Sequence, residues 1–319
     1  MREGELLNRI FARSATLKDA FPAVEVGPGD DCAVVLAPGG SRLLLKVDQV
    51  VEGRHFTPET PLDLIARKAI ARAVSDIAAM AGTPLAALVG AVLPHGYEQS
   101  RADALYDALL KWSLHFGCPL VGGDTAMFAR GSGGELTLSV SIIGTPHAVR
   151  GPVLRSGAQP GDDVFVTGSI GGSFREKPDA EFPFSGGGKH LTFTPRTREA
   201  VTLADILGDR LHAMMDISDG LGLDAARLAT RSNAAIELDA PRIPLSPGQS
   251  DPLRAAAHGE DYELLFTAAP GAPVPASIAG TPLTRIGRVT AHADGHPRCV
   301  LIHNGARTPA DALGWEHAG

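Results

Sequence analysis

Met214-Met215-Asp216-Ile217-Ser218-Asp219-Gly220 sets two carboxylates around a serine and closes with a glycine. Leu221, Leu223, Ala226, Leu228 and Ala229 follow at roughly helical spacing, so the stretch reads as a loop entering a helix. Such a loop can hold a hard cation: magnesium takes a few carboxylate oxygens together with phosphate and water, and glycine permits close backbone approach. Ser218 or Asp219 would equally serve as an ordinary helix cap. Repetition favours the cation, because Gly29-Asp30-Asp31, Asp48, Ser75-Asp76 and Gly122-Gly123-Asp124-Thr125 also place carboxylates beside glycine or a hydroxyl residue at the ends of apolar runs.

The rest of the chain bounds what such a loop can serve. Its 319 residues suit two domains of ordinary size, and 44% hydrophobic with 20% charged residues is the composition of a soluble globular protein. A formal charge of -7, with no long Lys/Arg cluster, argues against a nucleic-acid surface, so phosphates bound here would need metal help. Cys32, Cys118 and Cys299 are far apart and lack C-x-x-C spacing, which indicates buried thiols instead of disulfides or zinc. The charged N-terminus lacks a signal-like apolar core, and no run reaches the ~18 apolar residues of a membrane span. A cytoplasmic protein without a membrane partner is expected.

Residues 5–11 read as a short packing helix, and 34–36 and 43–51 as strands. Period two in the second strand puts Lys46, Asp48 and Val50 on one face, so Asp48 would pair with Lys46 or with a metal. Thr60-Pro61-Leu62-Asp63 reads as a threonine-capped helix start, with the helix running to Ala81 and Asp76 at the edge of its apolar face. A strand over 85–93, a helix over 99–116, and strands over 119–121 and 135–143 complete the first half. Composition shifts to Gly, Pro, Arg and Ser over 145–161, which sets domains of 1–148 and 149–319. The second half gives strands at 163–167, 236–238, 262–267, 283–289 and 300–303, a helix over 197–211, and a Gly/Pro-rich loop over 174–188. Lys189 follows glycines but fails the G-x-x-x-x-G-K-[ST] phosphate-loop pattern. Strands and helices alternating in both halves, with an Asn304-Gly305 hairpin signal, predict an α+β fold of two layered domains.

Seven motifs in order then carry a family resemblance: Gly29-Asp30-Asp31-Cys32-Ala33, Val51-Glu52-Gly53-Arg54-His55-Phe56, Ser75-Asp76-Ile77-Ala78-Ala79-Met80, Gly122-Gly123-Asp124-Thr125, Arg155-Ser156-Gly157-Ala158-Gln159-Pro160-Gly161-Asp162, Asp216-Ile217-Ser218-Asp219-Gly220 and Gly259-Glu260-Asp261-Tyr262-Glu263-Leu264. Together they resemble thiamine-monophosphate kinase, of the ATP-using superfamily shared with aminoimidazole ribonucleotide synthetase, selenophosphate synthetase and the hydrogenase maturation dehydratase. The likeness spans residues 4–317 and rests on the order and spacing of the motifs.

The resemblance implies an N-terminal domain that pairs with its twin in a homodimer, a C-terminal domain of the aminoimidazole ribonucleotide synthetase type, and ATP between them. It implies magnesium ligands at Asp31, Asp48, Asp76, Asp124, Asp216 and Asp219, with Asp31, Asp216 and Asp219 catalytic. Tyr106, Gly123, Asp124, Arg155 and Ser218 would face the nucleotide, and His55, Glu260 and Trp315 the thiamine phosphate. The implied reaction is direct in-line transfer of the γ-phosphoryl group of ATP to thiamine monophosphate with magnesium, giving thiamine diphosphate. The alternatives are a sister enzyme with another acceptor, or a nucleotide-binding relative impaired in catalysis. This chain departs from the family at Lys46-Val47, where a Ser-Thr pair is usual, and in the loop after Gly168, where a longer helical segment is usual.

Overall fold

The computed structural model describes residues 3–14, 16–173 and 188–315. The loop expected over 174–188 therefore lies, apart from Gly188, outside the described residues. In the first half, helices α1 (Glu3–Ser14) and α2 (Leu17–Ala20) precede strands β1 (Val24–Val26), β2 (Ala33–Leu36) and β3 (Arg42–Val51). Helix α3 (Leu62–Ala79), strand β4 (Thr83–Leu93), helix α4 (Gln99–His115) and strands β5 (Leu120–Met127) and β6 (Thr137–Thr145) follow. They build a six-stranded sheet of order β1-β2-β3-β6-β4-β5, in which β4 and β5 run parallel.

Alternation along β3 decides which face does what. Leu44 and Val50 point into the core with the half-buried Lys46 and Asp48 between them, while Leu45, Val47 and Gln49 point out. Helices α3 and α4 cover the inner face over a core that includes Leu44, Ile70, Ile77, Leu138 and Ile142. The outer face has no cover from the described residues: Leu45, Val47, Leu88 and Ile143 are 37%, 57%, 47% and 37% exposed.

The second half opens with β7 (Asp163–Thr167), α5 (Lys189–Thr192), α6 (Thr197–Leu207), β8 (Leu211–Asp216) and α7 (Leu221–Arg231). Strand β9 (Ala234–Asp239), helix α8 (Pro252–Ala257) and strands β10 (Leu264–Ala268), β11 (Ser277–Ile278), β12 (Thr281–Ala291), β13 (Cys299–His303) and β14 (Ala306–Pro309) complete it. The second sheet has eight strands in the order β14-β13-β9-β12-β7-β10-β8, with β11 paired to β12. Residues of α7 and α8 share one core with this sheet, and residues of α6 and the C-terminal end of α3 share another. The architecture is α+β, with α3 touching both sheets. Among the described residues no helix is long and apolar enough to cross a membrane.

Local departures from the expected elements have identifiable causes. Thr60 does not cap α3: its hydroxyl accepts the Thr57 N–H at 3.1 Å, and Pro61 occupies the cap position without a side-chain bond. The helix stops at Ala79 because Ala81 turns left-handed at φ 55°, and β4 then takes in Thr83 and Pro84. The helix expected over 197–211 ends at Leu207, where Gly208 takes φ 52° and a 3₁₀ turn leads into β8. Tyr262 stays outside β10 because it holds φ 52°. Asn304 and Gly305, at φ 51° and 79°, form the left-handed turn between β13 and β14.

Candidate active site

Helix α3 contains neither glycine nor proline and is rich in alanine, which keeps it regular while it is buried on almost every side. Its polar residues Lys68, Arg72, Ser75 and Asp76 recur at three- and four-residue spacing, so they form one stripe. Each meets a partner from another element. Lys68 Nζ donates to Glu260 at 2.5 Å and to the His55 carbonyl at 2.8 Å. Arg72 Nε donates to Asp48 at 3.4 Å, Ser75 Oγ to Asp216 at 2.6 Å, and Lys46 Nζ to Asp76 at 2.8 Å.

Arg72 and Asp76 of this stripe line a cleft of about 980 Å³ between the two sheets, also lined by Asp31, Arg155, Ser218, Asp219, Arg227 and Trp315. Carboxylate oxygens of Asp31, Asp76 and Asp216 lie within 4.8 Å of one another, and all three residues are buried. Buried, converging oxygens of this kind are a donor set that suits a hard divalent cation. Arg155 grips Asp31 with two nitrogens, at 3.1 and 2.6 Å.

The 216–220 loop owes its shape to a residue seven positions past its isoleucine. One oxygen of the fully buried Asp224 accepts the N–H groups of Ser218, Asp219 and Gly220 at 3.0, 2.9 and 3.2 Å. Those donors are therefore engaged inside the protein, and what the loop offers the cleft is side chains, including the Asp219 carboxylate. The other Asp224 oxygen receives Arg227 at 2.9 Å, and the same Arg227 nitrogen also bonds Asp219. The segment 259–262 locks onto the loop: Glu260 N–H donates to the Ser218 carbonyl at 2.6 Å and Tyr262 N–H to the Ile217 carbonyl at 2.8 Å. Glu260 and Tyr262 take left-handed φ values of 64° and 52°, a strained conformation for residues with side chains, held here by these bonds. The Trp315 N–H donates to the Asp219 carbonyl at 2.8 Å, tying the tail to the same loop.

Crowding sets the charge states. Burial, then the charge of Asp31, pushes Asp216 up to about 7, against the pull of Ser75, Lys46 and Arg155. Burial also raises Asp76 well above the carboxylate range; Lys46 opposes it, and Asp48, Asp216 and Asp31 add to it. Asp48 goes the other way, because Arg72 and Lys46 outweigh its burial. Asp224 rises to about 6 through burial, opposed by Arg227. Lys68 falls to about 8 because it is buried, and Glu260 only partly offsets this.

Of the residues expected at a metal, Asp31, Asp76 and Asp216 converge, and Asp48 and Asp219 line the same cleft. Arg155, Ser218, His55, Glu260 and Trp315 also line it. Asp124, Gly123 and Tyr106 do not. Register explains Asp124: Gln49, Ser139, Gly90 and Asp124 form one row across β3, β6, β4 and β5, and Gln49 faces outward, so Asp124 stands on the opposite face of the sheet from Asp48. Gly123 has a structural role of its own, since a Cβ there would come within 2.0 Å of the Val89 carbonyl across the strand pair. Tyr106 is 56% exposed on α4.

Asp224, Lys68, Arg72 and Arg227 were absent from the expected set. Asp224 carried a signal, an acid in the first turn of a helix preceded by glycine. Lys68 and Arg72 lie eight and four positions before Asp76, which a helical stripe argument could have used.

Two family models cover most of the chain: the AIR synthase related protein N-terminal domain matches residues 29–145, and the C-terminal domain residues 159–299. The thiamine-monophosphate kinase of Rhodopirellula baltica is 34% identical over 288 residues, 84% of each chain. That of Escherichia coli K12 is 32% identical over 342 aligned residues, 99% of this chain and 98% of the relative. Among solved structures, AaThiL complexed with AMPPCP and TMP superposes with a TM-score of 0.77 at 30% identity, covering 100% of this chain and 99% of its own.

Proposed function

The chain belongs to the thiamine-monophosphate kinase family, and from that premise we propose that it transfers the γ-phosphoryl group of ATP to thiamine monophosphate, giving thiamine diphosphate and ADP. One observation carries the reading for this chain: the buried Asp31, Asp76 and Asp216 oxygens converge within 4.8 Å in a cleft that also holds the fixed cations Lys46, Arg72 and Arg155.

ATP and a phosphate monoester repel each other, so the reaction needs positive charge more than it needs an enzyme nucleophile. Magnesium held by Asp31, Asp76 and Asp216, with Asp48 and Asp219 beside them, is the screening charge we assign to the site. Arg155, bound to Asp31 and projecting from the domain junction, faces the nucleotide together with Ser218. Lys68 fixes the Glu260 carboxylate, and His55 is held by its ring nitrogen, which accepts the Val51 N–H at 3.0 Å. These two and Trp315 form the substrate end. The Arg54 guanidinium lies 4.7 Å from the centroid of the Trp315 ring, which marks that ring as a surface for a cation such as the thiazolium. The acceptor oxygen of thiamine monophosphate is already ionised near neutral pH, so no strong general base is assigned.

We assign a homodimer formed through the outer face of the six-stranded sheet, where Leu45, Val47, Leu88 and Ile143 would be covered. Asp124 stands on that face, and we assign to a second subunit the ligand contacts of Asp124, Gly123 and Tyr106 that the cleft of one chain does not supply. The dimerising domain is then 1–148, the domain that completes the substrate site is 149–319, and the cytoplasm is the site of action. Product analysis with ATP and thiamine monophosphate tests the reading: thiamine diphosphate and ADP in equal amounts are expected. ATP consumed without thiamine diphosphate would transfer the assignment to a sister reaction with another acceptor.

A further inference from the structure

Among the described residues, Lys46 is the one cation of the carboxylate cluster that comes from the sheet. Its neighbours in β3 are Leu45 and Val47, whose side chains point to the outer face, so between the core residues Leu44 and Val50 the strand turns two charged side chains, Lys46 and Asp48, toward α3. The Lys46 nitrogen is 2.8 Å from Asp76 Oδ1, and Asp76 is one of the three residues whose oxygens converge within 4.8 Å. An ammonium at hydrogen-bond distance occupies an oxygen lone pair that a divalent ion would otherwise share. It contributes positive charge and no ligand atom.

The charge tally points the same way. Asp31, Asp48, Asp76 and Asp216 are matched by Arg155, Arg72 and Lys46, so these groups leave a single uncompensated negative charge when all are ionised. Without Lys46 the excess would double. We infer that Lys46 is a resident cation that takes the place of one divalent ion at Asp76, so that this chain binds fewer divalent ions with its nucleotide than the same cleft would with a neutral residue at position 46. The inference rests on the magnesium-dependent reaction proposed above, and it makes Lys46 a positioning residue that sets metal stoichiometry.

The test is a count of bound Mn²⁺, read from the electron paramagnetic resonance of the free ion, in the presence of AMPPCP and thiamine monophosphate. Wild type is compared with Lys46→Ser, Lys46→Met and Lys46→Arg, each checked for folding by circular dichroism. Lys46→Ser and Lys46→Met are expected to bind one further Mn²⁺ per chain, or to bind the weakest one about tenfold more tightly, because a like charge has been removed beside it. Lys46→Arg keeps the charge and should keep the wild-type count. If Lys46→Ser does not fold, Lys46→Met carries the same expectation, since its unbranched stem fills a similar space. Equal counts and affinities in wild type and the neutral variants, with Mn²⁺ bound in each, would overturn the role of Lys46 alone. No protein-dependent Mn²⁺ binding in any of them would overturn the metal reading and the inference with it.

Discussion

Replacing Asp224 by alanine should damage catalysis without touching any group that meets substrate. Asp224 is fully buried, and one of its oxygens accepts three consecutive N–H groups at 3.0, 2.9 and 3.2 Å. A buried donor left without a partner costs about 1–3 kcal/mol. The Ser218 and Asp219 bonds are only partly buried, so water can replace part of what is lost, and a total near 3 kcal/mol is reasonable. With an unfolding entropy of about 2.1 cal/mol/K per residue, a 319-residue chain would then lose roughly 4–5 °C in Tm. The larger effect is on geometry: freed from Asp224, the loop can relax, and a displacement of about 1 Å at reacting groups costs about a hundredfold in rate. Asp224→Asn retains an acceptor oxygen and loses the charge facing Arg227, so it should fall between wild type and Asp224→Ala in both properties. Urea unfolding and steady-state formation of thiamine diphosphate would be measured on the three proteins. A destabilised Asp224→Ala with kcat within a factor of two of wild type would refute the claim that Asp224 aims the loop. Equal defects in Asn and Ala would show that charge, not hydrogen bonding, is what matters.

Asp216→Asn should lower turnover by at least about a hundredfold while the fold persists, because an amide cannot replace a carboxylate toward magnesium; unchanged turnover would remove Asp216 from the metal set. Trp315→Ala should raise the KM for thiamine monophosphate about two- to thirtyfold, the range of a cation-π contact, and leave the KM for ATP nearly unchanged. Equal effects on both substrates would make Trp315 a tail anchor. Stability should depend on pH in a definite sense. Asp216 titrates at about 7 in the fold against 3.8 as its ordinary value, so between those values the native state binds the extra proton and metal-free protein loses stability as pH rises. The loss is largest above pH 7, roughly 4 kcal/mol at most. Magnesium should restore it, so the thermal shift on adding the metal should grow from pH 5 to pH 8, and a shift independent of pH would contradict this.

How much of this was legible in the sequence follows from how local each cause is. Period two along β3 correctly put Lys46 and Asp48 on one face, because strand alternation is a property of the backbone. Helical phase put Asp76 at the edge of the apolar face, and it is 5% exposed. Phase could not say what Asp76 meets: its partner is Lys46, thirty residues earlier. The outward position of Asp124 depends on the pairing of four strands, a long-range register that no local pattern reveals. Asp224 read as an ordinary first-turn acid, and its hold on the 218–220 loop became visible only once the helix was folded back under it. Thr60 looked like a cap by spacing, yet its hydroxyl was taken by the preceding turn. Motifs thus located the cleft, and the side chains that shape it came from elements packed against those motifs.

A single direct transfer from ATP to thiamine monophosphate, in a cleft that supplies charge and no nucleophile, has a stereochemical signature. ATP made chiral at the γ-phosphorus by three oxygen isotopes reads it out. Direct transfer places the label in thiamine diphosphate with inverted configuration at phosphorus. Retention would require a covalent phosphoenzyme and contradict direct transfer, and absence of the label from thiamine diphosphate would contradict the function itself.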